Sequence, residues 1–177
     1  MLITKELNWI LVIVIFSMNL RNPLSWLSLG FGSGLSPIAP GTMGSIVALI
    51  IYYFFFDSLT TSLTNNFFFL IFIMISFLIG IYIYPKTVEK DDDPGSFVWD
   101  EFVGMWVACL PLSYIETSFL WLLVSFFLFR IFDIWKPLGI RTFDKGHGAF
   151  NVMIDDVIAG VYSAVSIIFL FTFFNYI

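Results

Sequence analysis

Asp100 and Glu101, adjacent in VWDEFVGMW, and Asp155 and Asp156, adjacent in VMIDDVIAG, are the residues of this chain best suited to hold a divalent cation. Paired carboxylates offer hard oxygen ligands. Mg²⁺ takes one or two of these together with waters and substrate phosphate. Between the pairs, Arg130, Asp133 and Lys136 recur every three residues, so they fall broadly on one side of a helix. Arg130 and Lys136 suit phosphate, one as a planar fork and the other as a point charge, and Asp133 adds a further metal ligand. Helix capping explains one acid of each pair, because a carboxylate favours the positive end of the helix dipole, but it explains two side by side poorly. For the triplet the competing reading is a salt-bridged interfacial face with its cations snorkelling outward.

A third constellation is rich in glycine. Gly30, Gly32, Gly34, Gly41 and Gly44 are interleaved with Pro37 and Pro40, and Ser33, Ser36, Thr42 and Ser45 stand before an apolar helix. Such a stretch suits a backbone nest or re-entrant loop that presents N–H groups to an anion, with Thr42 and Ser45 on substrate phosphate. The alternative is close helix packing through small residues. No P-loop lysine is present, so nucleotide binding is not indicated. Asp91, Asp92 and Asp93 precede Pro94-Gly95 and read as a solvated acidic turn.

Several chemistries drop out. One histidine, His147, cannot supply a two-histidine phosphatase site, and Cys109 has no arginine six residues on. Asp91 and Asp93 are followed by Pro and Gly, unlike an aspartyl-phosphate loop. The spaced aspartates of enzymes that join CDP-activated lipids to alcohols are absent. Carboxylates, bases and a glycine-rich stretch leave metal-assisted attack of water on phosphate.

The elements that must position these residues are membrane helices. Apolar residues make up 59% of the 177-residue chain, charged residues 12%, and 23 residues are phenylalanine. A soluble domain has about 45–50% apolar and about 25% charged residues. The expected fold is all-α: one domain over 1–177, a polytopic bundle with about five spans near 43–56, 67–84, 97–112, 119–135 and 157–177. A short apolar helix over 7–20, about 21 Å long, precedes the core at 22–177 and reads as retained rather than cleaved. Segments 57–66 and 113–118 carry no Lys or Arg, whereas 85–96 and 136–156 carry five. The positive-inside rule puts the latter two, and with them 21–42, on the cytoplasmic side. Nine of the thirteen acids (Asp91, Asp92, Asp93, Asp100, Glu101, Asp133, Asp144, Asp155, Asp156) lie in or beside two of these three loops, so one cytoplasmic surface is expected to carry the site. A lone Cys109 gives no disulfide framework, and the net charge of −5 points to bound cations if the substrate is anionic. Nucleic acid is not an expected partner.

Four stretches, GFGSGLSPIAPGTMGS, GSFVWDEFVGMW, FRIFDIWKP with IRTFD, and VMIDDVIAG, resemble the phosphatidylglycerophosphatase A family of bacterial inner-membrane enzymes over about residues 22–160. The resemblance implies hydrolysis of phosphatidylglycerophosphate to phosphatidylglycerol, dependence on Mg²⁺, and a bilayer as the setting. By motif, Asp100 and Glu101 match the family's WDE, Asp133 and Lys136 its FD–KP, and Asp155 and Asp156 its DD. Ala149 and Asn151 stand where the family tends to have glycine, and the 7–20 helix lies outside the pattern. Phosphate monoester hydrolysis needs acceleration of up to about 10²¹-fold. Positioning supplies only about 7–11 kcal/mol of that, so charge stabilisation by metal and bases is expected. The competing reading is an ion or proton transporter, which requires acids near mid-span and internal repeats. A non-catalytic scaffold would have no need of paired acids.

Overall fold

The computed structural model describes residues 21–57, 63–88, 95–115, 118–137 and 148–176. Its regular elements are all helical: α1 (Pro23–Ser28), α2 (Pro40–Ile51), α3 (Leu63–Thr87), α4 (Trp99–Cys109), α5 (Phe119–Trp135) and α6 (Ala149–Tyr176). A 3₁₀ turn (Gly30–Leu35) precedes α2, a π-helical turn (Tyr52–Phe56) extends it, and a second 3₁₀ turn (Leu110–Tyr114) ends α4 at Pro111.

α4 is the axle of the bundle. Every one of its residues except Glu101 is buried, and α2, α3, α5 and α6 all pack on it. Trp99, Phe102 and Trp106 stack along it with ring centroids 5.6–5.9 Å apart. Both indoles are satisfied by neighbouring helices: Trp99 Nε1 donates to Ser76 O at 2.9 Å, and Trp106 Nε1 to Ala48 O at 3.0 Å. A buried Trp needs such a partner to avoid the cost of an unmet donor. The closest seam is α4 on α6, where glycines meet. A Cβ on Gly160 would lie 2.4 Å from Gly104 O, and one on Gly104 would lie 2.7 Å from Asp156 O. Only hydrogen at these positions lets the two backbones approach this far.

The expectation of about five spans is corrected. Among the described residues two helices are long and apolar enough to cross a membrane, Asn66–Thr87 with 22 residues and Ala149–Asn175 with 27. At about 1.5 Å per residue each exceeds the ~30 Å hydrocarbon core. The 97–112 segment is apolar because it is buried in protein, and at 11 residues α4 is too short to span. The 119–135 segment is a 17-residue helix that stops at a left-handed Lys136 before Pro137, and the 43–56 segment belongs to the shorter apolar helix Pro40–Phe56. These two long helices expose apolar faces, among them Phe68 at 62% and Phe169 at 66%, as suits a membrane-associated protein. The 7–20 helix lies outside the described residues, as do Asp91–Asp93, Asp144 and His147.

Two boundaries also move. α6 starts at Ala149, not 157, so Asp155 and Asp156 sit within the helix and neither is its cap. The glycine-rich stretch is not one loop. Phe31 and Gly32 turn left-handed inside the first 3₁₀ segment, Ala39 is left-handed at φ 48, and Pro40 then starts α2. Gly41, Thr42, Gly44 and Ser45 are therefore helical.

Gly160→Leu is expected to wedge α4 from α6 and destabilise the protein by about 1–3 kcal/mol or more, seen as a lower Tm in detergent. An unchanged Tm would mean that the Gly104–Gly160 contact is dispensable.

Candidate active site

The starts of α2, α4 and α6 and the end of α5 meet at one end of the bundle, each bringing a different group. α4 supplies Asp100 and Glu101 in its first turn, and α6 supplies Asp156. One carboxylate oxygen from each of these three residues lies within 4.8 Å of the other two. Asp100 and Asp156 are buried. The Gly104–Gly160 seam holds this register, because it draws α4 against α6 within a turn or so of Asp156.

The other elements close the cluster. Gly41 lies so close that a Cβ there would collide with Glu101 Oε1 and approach Arg130 Nη1 at 3.5 Å. On α5, Arg130 forms an ion pair with Asp133, and its Nη1 also donates to Ser45 Oγ at 3.3 Å. Ser45 Oγ in turn donates to Gly41 O at 2.8 Å. Asp133 adds its negative charge against both Glu101 and Asp156. Lys136, left-handed at the end of α5, donates to Asp155 Oδ2 at 2.8 Å.

The sequence-derived site residues thus divide into groups. Asp100, Glu101 and Asp156 come together as a three-carboxylate cluster, with Asp133 and Arg130 beside it. Asp155 faces Lys136, and its Oδ1 accepts the Asp156 N–H at 3.1 Å, so it orients its neighbour. Ser45 holds Arg130, whereas Thr42 is half-buried on the first turn of α2 and makes no hydrogen bond to the cluster among the described residues. The sequence reading did not single out Gly41 as a wall of the cluster, nor Gly104 and Gly160 as its spacer. All three lie inside the motif stretches, but spacing alone does not tell a packing glycine from a turn glycine.

This arrangement fits a divalent cation. Glu101 Oε2 and Asp156 Oδ2 are buried and have no hydrogen-bond partner among the described residues. Three carboxylates this close repel one another when ionised, and a cation between them relieves that repulsion. The oxygen-only donor set suits Mg²⁺, Mn²⁺ or Ca²⁺ rather than Zn²⁺. Glu101, on α4 and outside the two spanning helices, shows the strain directly. Burial, with the charge of Asp133 adding to it and Asp100 and Arg130 acting against it, holds its carboxyl at about 7 instead of 4.5. Thiol chemistry is remote: Cys109 is fully buried in α4, and burial pushes its thiol up to about 12.

Comparison with known proteins agrees with the geometry. The family model described as phosphatidylglycerophosphatase A matches residues 26–171. A phosphatidylglycerophosphatase A of Escherichia coli is 43% identical over 150 residues, covering 83% of each chain. One from Haemophilus influenzae is 41% identical, covering 83% of this chain and 88% of its own. A putative phosphatidylinositol-3-phosphatase of Bacteroides thetaiotaomicron is 39% identical over 139 residues, covering 78% and 87%. No solved structure matches. The chain belongs to the phosphatidylglycerophosphatase A family and is a phosphatase, a phosphoric monoester hydrolase.

The raised Glu101 carboxyl sets the direction of a pH effect. A carboxyl that is harder to ionise when folded stabilises the protein below about 4.5, and that contribution is lost as pH rises through about 7. In chelator, Tm is expected to fall across that interval, and Glu101→Gln is expected to flatten the fall. A Tm that rises with pH over this range, equally in both proteins, would contradict the assignment.

Proposed function

We propose that this chain hydrolyses the terminal phosphate monoester of phosphatidylglycerophosphate, yielding phosphatidylglycerol and phosphate, with Mg²⁺ held by Asp100, Glu101 and Asp156. The observation that carries this reading is the three-carboxylate cluster beside Arg130, in a chain whose curated relatives are named for that reaction. When bound, the cation supplies Lewis-acid polarisation of a phosphoryl oxygen and makes a bound water more acidic.

The chain's own residues have distinct tasks in this reading. Arg130, steadied by Ser45 and Asp133, turns positive charge towards the phosphate beside the cluster. Its Nε is buried and has no partner among the described residues, so one donor remains to be met by a substrate oxygen. Asp133 lies against Glu101 and Asp156 but outside the trio, and it takes the proton of the attacking water. The oxygen of that water bonds to phosphorus. The bond to the glycerol oxygen breaks, and that oxygen takes a proton from solvent water and leaves as phosphatidylglycerol. Lys136 and Asp155 tie the end of α5 to the second turn of α6 at the rim.

The setting is the bacterial inner membrane, crossed by α3 and α6 in opposite directions, with the site facing the cytoplasm and the whole chain, 1–177, acting as one domain. Charge supports that orientation. The Lys and Arg residues among those described, Arg21, Lys86, Arg130 and Lys136, all gather at the end of the bundle that holds the cluster. Transport fits less well, because Asp100 and Glu101 sit in the first turn of α4, and Asp155 and Asp156 lie in the N-terminal third of α6 rather than at mid-span.

Detergent-purified protein is expected to release phosphate from phosphatidylglycerophosphate with Mg²⁺ and to lose that activity in chelator. Asp100→Asn and Asp156→Asn are each expected to lower kcat by about 100-fold or more. Faster release from phosphatidylinositol 3-phosphate would move the substrate to the other headgroup named among the relatives. Full turnover in Asp156→Asn would refute the site.

A further inference from the structure

We propose that the cleft between α2 and α5 binds one acyl chain of the lipid substrate, an inference that rests on the lipid-phosphatase reading above. Below the site these two helices part around a cavity of about 400 Å³. Leu49 and Ile50 of α2 and Tyr53 of its π-helical turn line it on one side, Leu122 and Leu123 of α5 on the other, and Asp57, twelve residues on from Ser45, stands in its lining remote from Arg130. That volume lies in the ordinary range of ligand pockets, about 300–1,000 Å³.

What commits the cleft to an acyl chain is its continuity with the phosphate-binding face. On α5, residues 119, 122, 123, 126, 130 and 133 follow helical spacing, so the cavity wall and the Arg130–Asp133 pair share one stripe. On α2, Ser45, Leu49 and Tyr53 follow one another every four residues along one ridge. Ser45 and Arg130 join the two helices at the top of the cleft. From Arg130 to Leu123 is seven residues, roughly 10 Å along the axis. A phosphate at Arg130 therefore places the tail of the same molecule at the mouth of the cavity. α2 also has its π-helical turn here, at Tyr52–Phe56, and single π turns of this kind recur at functional sites.

A second cavity, about 390 Å³, lies between α3, α4 and α6 and includes Met74, Val103 and Leu110. Val103 lies on the face of α4 turned away from Glu101, about half a turn round the helix, and Leu110 opens the 3₁₀ turn that follows α4. Met74, on α3, lies outside the carboxylate cluster, so this cavity serves as the control.

The test is steady-state hydrolysis by full-length protein of two phosphatidylglycerophosphates, one with long and one with short acyl chains. Ile50 is half-exposed, so Ile50→Trp fills the cleft from α2 without burying strain; Leu123→Phe does so from α5. Met74→Trp fills the other cavity. KM for the long-chain substrate is expected to rise about tenfold in both cleft variants, as though roughly two buried methylenes were lost. kcat, the short-chain KM and the Met74→Trp enzyme are expected to stay unchanged. If both chain lengths respond alike, or neither responds, or Met74→Trp matches the cleft variants, the acyl site is overturned. Wild-type protein inactive on both substrates would instead overturn the functional reading on which it rests.

Discussion

Burying Asp100, Glu101 and Asp156 against one another is the constraint on which the remaining structure turns. An ionised carboxylate in apolar surroundings is costly, and three with oxygens within 4.8 Å compound that cost. Arg130 offsets part of it, but it is shared with Asp133 and Ser45. The remainder is carried by protons or by a bound cation. Burial accordingly holds the Glu101 carboxyl up at about 7. A site of this kind is kept for function, because apolar residues would pack the same volume at no electrostatic cost.

The fold can be read as the means of holding that unfavourable arrangement. α4 is buried so completely that its first turn has no latitude, and the Trp99–Phe102–Trp106 stack fixes its rotation. Glycines at 104 and 160 set the distance to α6, and glycine at 41 lets α2 close over Glu101. The long apolar helices α3 and α6 make the frame, and α4, α5 and α6 bring the charged groups together at one end of it. A small protein thereby keeps a polar site at one end of a body that is otherwise apolar.

Much of the site was legible from residue types. Paired acids are expensive in so apolar a chain, so Asp100–Glu101 and Asp155–Asp156 stood out without any structure. The spacing of Arg130 and Asp133 put those two side chains together on one side of a helix, as found, whereas Lys136 turns left-handed past the end of that helix and pairs with Asp155. What spacing could not show was the division of labour within a pair: Asp156 joins the cluster, while Asp155 turns to Lys136. One residue is about 100° of helix, and which of the two faces inward depends on the packing of α6. The span count went astray for a related reason. Hydropathy does not tell a helix buried in protein, as α4 is, from one buried in lipid. The glycines suggested a loop because composition alone does not separate a nest from a close helix contact, and Pro40 starts a helix as readily as it breaks one.

The central claim, that the three carboxylates hold one divalent cation, is tested most directly by binding alone. Mn²⁺ is a spectroscopic stand-in for Mg²⁺ at oxygen sites, and its titration into detergent-purified protein can be followed by electron paramagnetic resonance. The structure predicts saturable binding that Mg²⁺ displaces and that Asp156→Asn weakens by about tenfold or more. Binding of equal strength in wild type and Asp156→Asn would contradict it.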